Sequence, residues 1–246
     1  MRRRVHLAAL IAALALAIPL AASAQHFPAD DDLRTMLRYL VEDGETPGIV
    51  LGLLDADGTT RILSWGDPGA GMRPLGPRSV FEIGSINKTF TGALLAEAVR
   101  RGEVSLDDPV RKYLPEGVTV PARNRKQITL LDLATHTSGL PRLPGNHRPA
   151  DPDNPYADYT IETLYDFLND HELRRDPGAE GEYSNLGFGL LGHALARAAG
   201  TTYEALLRER VLEPLGMSMT GYALEGELAA WHTKGHRGGH VVPFWF

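Results

Sequence analysis

The chain has 246 residues, of which 43% are hydrophobic, and it carries a formal net charge of −6 at pH 7 with a pI near 5.8. This acidic balance provides no basic surface for nucleic acid, so the candidate partners are small molecules and the cell wall. The sequence contains no cysteine, so we expect neither a disulfide nor a cysteine-linked lipid anchor, and packing alone must stabilise the fold.

The first 24 residues have the pattern of a secretory signal peptide. Three arginines precede an apolar run over about residues 5–20, and small residues at 22–24 form a cleavage site before Gln25. The apolar run is too short and wrongly flanked for a membrane-spanning helix. We therefore expect a periplasmic or secreted protein with no membrane span after signal cleavage. Residues 25–246 are expected to form one partial domain.

The first half of the mature chain combines helical and strand patterns. Apolar residues at helical spacing predict an amphipathic helix over residues 30–43. Two apolar runs within residues 48–65 flank an Asp-Gly turn at 57–58, which predicts a β-hairpin, and no other strands are clearly indicated. A largely apolar run after Ser85 predicts a buried helix with Gly102 as its C-terminal cap.

The second half is interrupted often by glycine and proline. The patterns predict, in order, a short helix and turn at 128–141, a loop at 141–155, a helix capped by Thr160, a helix at 185–199, and a helix opened by a capping box of Thr201 with Glu204.

Ser85 and Lys88 place a nucleophile and a base one helical turn apart at a predicted helix start. A serine needs a neighbouring base to become nucleophilic, and a spacing of three puts both side chains on one face. Lysine can lose its proton in a desolvated pocket, whereas arginine stays charged. The chain has only four lysines against 21 arginines, so lysine here indicates a chemical need. The alternative is a solvated serine beside an exposed lysine.

Tyr183 and Asn185 form a second candidate pair. A tyrosine beside a lysine has its phenolate form favoured and can relay a proton to a leaving group. An asparagine amide can hold a substrate carbonyl or orient the lysine. The alternative is a packed tyrosine with the asparagine as a helix cap.

Together these segments resemble the serine β-lactamase and penicillin-binding protein superfamily, specifically its class C β-lactamase branch, which also contains DD-peptidases and β-lactamase-like esterases. The matching stretches are GSINKTFT at 84–91, LATHTSGLP at 133–141, YSNLG at 183–187 and PLGM at 214–217.

The resemblance implies a fold, a mechanism and a set of site residues. The fold is α/β of the α+β type, β-lactamase/transpeptidase-like, with an antiparallel sheet flanked by a helical region. Ser85 is the acylated nucleophile, Lys88 its base partner, Tyr183 the proton relay and Asn185 a substrate-binding residue. The substrate is a small molecule, and no cofactor or metal is needed. The resemblance makes His136 a turn-fixing residue rather than a catalytic one.

The family's third motif is not found. The tetrapeptide at 232–235, His-Thr-Lys-Gly, is a candidate, but its glycine- and histidine-rich context without strand alternation indicates a decoy. The histidines at 232, 236 and 240 could suggest a metal site, but a flexible solvated loop fits them better. We expect a C-terminally truncated domain, because the family's remaining sheet strands lie in its C-terminal part.

The sequence predicts an exported serine hydrolase that cleaves an amide or ester, of β-lactam or D-Ala-D-Ala peptide type, through an acyl-enzyme on Ser85. The alternative is a truncated, catalytically deficient or non-catalytic cell-wall or penicillin-binding relative.

Overall fold

The computed structural model describes residues 27–44, 46–69, 71–237 and 240–244, so the predicted signal peptide at residues 1–24 lies outside the described residues. None of the described helices is long and apolar enough to cross a membrane. In chain order the elements are α1 (Asp30–Glu42), β1 (Gly48–Leu54), β2 (Thr60–Gly66), α2 (Asn87–Arg100), β3 (Ala122–Arg123), β4 (Lys126–Gln127), α3 (Leu130–Ala134), α4 (Ile161–Asp170), α5 (Asn185–Ala198), α6 (Tyr203–Leu207), α7 (Gly226–Trp231), β5 (Gly235–Arg237) and β6 (His240–Val242).

Helix α1 packs on the antiparallel hairpin of β1 and β2. In the hairpin Leu51 lies opposite Leu63. Leu33 and Leu37 of α1 are buried against Leu53 and Leu63, and together they form a small core of their own. The helix turns its apolar stripe toward the sheet because that stripe cannot be left in water. Both the predicted helix and the predicted hairpin are confirmed.

A larger core surrounds α5, which packs against α2, α3 and α6. Leu190, Leu191 and Ala194 of α5 are completely buried, and Leu94 of α2 and Leu133 of α3 belong to the same cluster. Burying one leucine side chain stabilises a fold by about 1.5–3 kcal/mol. This cluster therefore holds the N-terminal ends of α2 and α5 in a fixed relation, and both ends carry predicted site residues.

Two of the predicted helix caps are confirmed. The hydroxyl of Thr160 accepts a hydrogen bond from the backbone N–H of Thr163 at the start of α4. Gly102 follows α2 with a φ of +73°, a left-handed conformation that costs glycine little.

The predicted capping box at Thr201 is wrong by one residue. The N-cap of α6 is Thr202, whose hydroxyl accepts a hydrogen bond from the backbone of Ala205. The backbone of Thr201 belongs to the C-terminal end of α5, because its N–H donates to the carbonyl of Ala196. The positive φ of 68° at Gly200 turns the chain so that this bond can form. Two residues, Gly200 and Thr201, therefore separate the C-cap of α5, Ala199, from the N-cap of α6, Thr202.

The predicted flexible loop around the histidines at 232, 236 and 240 is also wrong for the described residues, while residues 238 and 239 lie outside them. β5 pairs antiparallel with β6, with His236 opposite Val241. Strands of three residues are too short to show alternation, so the pattern could not reveal them. Before β5, the buried Thr233 donates from its backbone N–H and from its hydroxyl to the carbonyl of Val80, each at 2.9 Å. This segment is therefore fastened to the chain that leads into Ser85.

The described residues form three separate two-stranded antiparallel sheets among the helices. The predicted α/β class of the α+β type is confirmed. The expectation that further sheet strands belong to a missing C-terminal part stays a prediction.

Candidate active site

Ser85 lies in a three-ten turn that leads into α2. The turn spans Gly84–Ile86, and α2 begins at Asn87, two residues after the predicted start. Gly84 has a φ of +52°, a left-handed conformation that strains residues with a side chain. The turn places Ser85 beside the N-terminal end of α2, where the helix dipole favours negative charge.

The structure brings all four predicted site residues together. The Tyr183 hydroxyl donates a hydrogen bond to Ser85 Oγ at 2.7 Å, and Lys88 Nζ donates to the same oxygen at 3.3 Å. Lys88 Nζ also donates to Asn185 Oδ1 at 2.9 Å. One serine oxygen therefore has two groups within reach that can exchange a proton with it, which is the arrangement required of an activated nucleophile.

The positions of Tyr183 and Asn185 follow from how α5 begins. Ser184, which is 1% exposed, caps the helix, and its hydroxyl also donates to the carbonyl of Pro141 at 2.7 Å. The carbonyl of Arg142 accepts the N–H of Asn185 at 3.0 Å. The segment at 141–142 thus fastens the start of α5, and the residues on either side of the cap point toward Ser85 and Lys88.

His136 lies behind Tyr183. It has a φ of +61°, and its Nδ1 accepts a hydrogen bond from the Ser184 backbone N–H at 3.0 Å. Its ring centroid is 4.5 Å from that of Tyr183 and 4.8 Å from that of Phe188. Burial, and then the positive charge of Lys88, lower the pKa of His136, so the neutral acceptor form is favoured. These contacts agree with a turn-fixing residue.

Two positively charged side chains lie close to the Tyr183 ring. Lys88 Nζ lies 4.7 Å from its ring centroid and the guanidinium carbon of Arg142 lies 5.0 Å from it. Interaction with Lys88, and then the hydrogen bond with Ser85, lower the pKa of the Tyr183 phenol, while burial opposes the shift. The phenolate of Tyr183 therefore forms at a lower pH than that of a free tyrosine.

Sequence reasoning missed two residues of the site, Arg142 and Tyr156. Arg142 directly follows Pro141, the last residue of a motif stretch, so adjacency could have suggested it. The Tyr156 hydroxyl accepts a long hydrogen bond of 3.5 Å from the Asn185 side-chain amide. Nothing in the sequence marks Tyr156, because it lies at the end of an irregular segment and reaches the site only through the tertiary fold.

A cavity of about 1160 Å³ opens at Ser85. Lys88, Asn185 and Tyr156 line it, together with the segment at 79–84. Ligand sites usually enclose about 300–1,000 Å³, so this cavity holds more than a small leaving group.

The tetrapeptide at 232–235 contributes to the same cavity through one residue. His232 lines it beside Phe244, with ring centroids 5.1 Å apart. The Nε2 of His232 is buried and has no hydrogen-bond partner among the described residues. Thr233 is occupied by the Val80 backbone, and Lys234 is exposed outside the cavity lining. Across the described ranges, no group of three or more His, Asp or Glu residues has the geometry of a metal site.

Comparison with known proteins identifies the family. The sequence matches the beta-lactamase family over residues 33–244, which includes every predicted site residue. The chain belongs to the beta-lactamase family. It is 41% identical over 178 residues to the D-alanyl-D-alanine-carboxypeptidase/endopeptidase AmpH of Escherichia coli K12, a match that covers 70% of this chain and 45% of AmpH. A beta-lactamase of the same strain is 30% identical over 219 residues, covering 87% of this chain and 54% of that protein.

Solved structures of the beta-lactamase family agree. A beta-lactamase/D-alanine carboxypeptidase from Yersinia pestis, complexed with citrate, matches with a TM-score of 0.71 and 31% identity, over 86% of this chain and 63% of that one. A class C beta-lactamase from Rhodobacter sphaeroides matches with a TM-score of 0.69 and 29% identity, over 82% and 54%. These likenesses place the chain in the class C branch. The chain spans about half the length of the curated relatives it matches.

Proposed function

We propose that this protein is an exported serine hydrolase that cleaves an amide or ester through an acyl-enzyme on Ser85. The observation that carries the proposal is the pair of hydrogen bonds to Ser85 Oγ, from Tyr183 at 2.7 Å and from Lys88 at 3.3 Å. Export is supported by the signal-peptide pattern of residues 1–24.

In the proposed acylation step the Ser85 hydroxyl proton passes to Lys88 in its neutral form while Oγ attacks the substrate carbonyl carbon. The carbonyl π electrons move to its oxygen, and the positive end of the α2 dipole lies beside that developing charge. As the intermediate collapses, the bond to the leaving group breaks and Tyr183 gives that group a proton. Tyr183 then recovers a proton from Lys88, which leaves an ester on Ser85 and restores both side chains.

Deacylation repeats the same steps with water in place of serine. The base accepts a proton from water, the hydroxide oxygen attacks the ester carbonyl, and Ser85 Oγ leaves with a proton. Asn185 serves as a substrate-binding residue. Its Oδ1 is held by Lys88 and its amide nitrogen faces the cavity rim near Tyr156, where an N–H can meet a substrate carbonyl.

The amide substrate class is supported by relatives whose names specify D-alanyl-D-alanine carboxypeptidase and beta-lactamase activity. The test is parallel turnover of nitrocefin, a D-Ala-D-Ala peptide and p-nitrophenyl acetate by the protein and its Ser85→Ala variant. We expect turnover of at least one substrate that Ser85→Ala abolishes. A stable adduct on Ser85 without turnover supports the penicillin-binding alternative. The absence of both an adduct and turnover would contradict the proposal.

A further inference from the structure

The first turn of α2 is not fixed by a helix cap of its own. Ile86 occupies the N-cap position, and its side chain makes no capping hydrogen bond. At the start of α5, by contrast, the Ser184 hydroxyl accepts the backbone N–H of Gly187 at 2.8 Å. A helix start without such a bond is less stable. Because Lys88 lies in the first turn of α2, its position depends on contacts from elsewhere in the fold.

Asn87, the first residue of α2, makes such a contact. Its side-chain amide donates a hydrogen bond of 2.6 Å to the hydroxyl of Tyr222, which lies 135 positions further along the chain. Asn87 stands between Ser85 and Lys88 and has no part in the proposed proton transfers. The bond to Tyr222 therefore acts on the backbone from which the Lys88 side chain extends, and not on the reacting atoms.

A second tyrosine, Tyr203, holds α2 one turn further on. Its hydroxyl lies 2.7 Å from Oγ1 of Thr91, a residue that is 3% exposed. Asn87 and Thr91 are four residues apart, so they share one side of α2. The Tyr203 ring also packs on α5, because a Cβ at Gly192 would come within 3.0 Å of it. Tyr203 thus fixes the distance between α2 and α5, the two helices whose first turns carry site residues.

The two tyrosines, called the tyrosine brace below, support each other. The rings of Tyr203 and Tyr222 are T-shaped, with centroids 5.5 Å apart and an angle of 82° between their planes. The quadrupoles of two aromatic rings favour this arrangement. Partial burial, and then the neighbouring Tyr203, raise the pKa of Tyr222, so its hydroxyl stays protonated. Removing that hydroxyl therefore changes a hydrogen bond and no charge.

The tyrosine brace gives a role to the PLGM stretch, which the proposed reaction does not use. Gly216 has a φ of +66°, and the N–H of Met217 donates to the carbonyl of Leu212 at 2.8 Å, so the helical segment ends there and the chain turns. Met217 packs against the larger core. Residues 219–224 then line the cavity at Ser85, and Tyr222 lies in the middle of this segment.

We propose that Tyr222 is a positioning residue of the acylation reaction, which keeps Lys88 within reach of Ser85 by holding Asn87. This inference rests on the proposed function and adds a residue to it. Lys88 Nζ lies 3.3 Å from Ser85 Oγ, at the long end of the hydrogen-bonding range, so a small displacement of α2 breaks the contact. Asn87 and Tyr222 also line the cavity, so direct contact with the substrate is the competing role.

The first test needs no catalysis. The chain contains only four lysines, so protein labelled with an NMR-active carbon isotope at lysine Cε gives few signals, and Lys88→Met identifies that of Lys88. Lys88 Nζ lies 4.7 Å from the ring centroid of Tyr183 and 5.7 Å from that of Phe188, so ring currents make this signal sensitive to displacement. We expect Tyr222→Phe and Asn87→Ala to move the Lys88 signal toward that of an exposed lysine and to leave the other lysines unchanged.

The second test measures single-turnover acylation by a fluorescent penicillin over a range of concentrations. Misplacing a reacting group costs rate, so Tyr222→Phe should lower the saturating rate constant by about tenfold and change the half-saturating concentration little. Because Tyr222 acts through Asn87, the double variant with Asn87→Ala should be no slower than the slower single variant. Tyr113→Phe is the matched control, since its hydroxyl bonds Asp108 and neither residue lines the cavity.

An unchanged Lys88 signal in Tyr222→Phe, or the same change in Tyr113→Phe, would overturn the proposal whether or not the protein is acylated. Effects of Tyr222→Phe and Asn87→Ala that multiply in the double variant would also overturn it. A rise in the half-saturating concentration alone would show that Tyr222 contacts the substrate instead. If the unsubstituted protein is not acylated but the lysine signals change as expected, the proposed function fails and the positioning of Lys88 by Tyr222 is supported.

Discussion

Lys88 Nζ donates a hydrogen bond to Asn185 Oδ1 at 2.9 Å, although 97 positions separate the two residues in the chain. The bond joins the first turn of α2 to the first residue of α5. It fixes the direction of the Asn185 amide, because a lysine ammonium can only donate and so selects the oxygen. The same ammonium reaches Ser85, so one lysine links the nucleophile to the substrate-binding residue.

Replacement of Lys88 tests its role as a base. We expect Lys88→Arg to slow acylation of Ser85 nearly as much as Lys88→Ala, by a factor on the order of 10² or more, because arginine stays protonated and cannot accept the serine proton. The measurement is the single-turnover acylation rate with a fluorescent penicillin. If Lys88→Arg keeps most of the rate, Lys88 contributes charge rather than acting as a base.

Titration of Tyr183 tests the electrostatics of the site. Lys88 is the largest cause of its lowered pKa, so Lys88→Met should raise that pKa. Tyrosinate absorbance is followed against pH, with Tyr183→Phe in each background as the control that isolates the signal. A Tyr183 pKa that does not change in Lys88→Met would show that the ammonium is not its main perturbant.

The same shift has a consequence for stability. Because the pKa of Tyr183 in the folded protein lies below that of the unfolded chain, the folded protein binds fewer protons between the two values. Stability should therefore rise with pH across that window, and the rise should be smaller in Tyr183→Phe. Urea unfolding at a series of alkaline pH values measures it. Identical pH profiles for the two proteins would contradict the expectation.

Much of the fold could be predicted because the signals were local. The spacing of apolar residues located α1, the Asp-Gly turn located the hairpin, and Thr160 marked the start of α4. The strands β5 and β6 could not be predicted, since three residues show no period. The cap of α6 was misplaced because Thr201 and Thr202 are both good caps, and only the end of α5 decides between them.

In the candidate site, too, the residues marked by local sequence signals could be predicted and those placed by the tertiary fold could not. Ser85 and Lys88 share one helical turn, so their meeting follows from spacing, and Tyr183 with Asn185 was added through the resemblance. Arg142 and Tyr156 reach the site through the loop between α3 and α4, and no periodicity determines where an irregular loop runs. His232 was set aside with its neighbours, yet the pairing of Thr233 with Val80 brings it to the cavity wall.

The helix cap can be tested by paired substitutions. Thr202→Ala should lower the free energy of unfolding by about 1 kcal/mol, because it removes the acceptor for the Ala205 N–H. Thr201→Ala should lower the free energy of unfolding clearly less, since the hydrogen bond from the Thr201 backbone to Ala196 does not depend on the side chain. Chemical denaturation measures both. A larger loss in Thr201→Ala would favour the original capping-box assignment.

The core around α5 should be sensitive to truncation. Leu190 has no exposed surface, so Leu190→Ala should lower the free energy of unfolding by about 2–5 kcal/mol. Leu215→Ala is the matched control, because Leu215 is 68% exposed and should change stability little. Comparable losses in the two variants would show that the core is not centred on α5.

The central claim is that Ser85 is the residue that becomes acylated. The protein is incubated with a fluorescent penicillin, digested, and its labelled peptide identified by mass spectrometry, with Ser85→Ala treated in parallel. The account predicts a single adduct on the peptide that contains Ser85 and none in Ser85→Ala. Label on another residue, or equal labelling of Ser85→Ala, would contradict it.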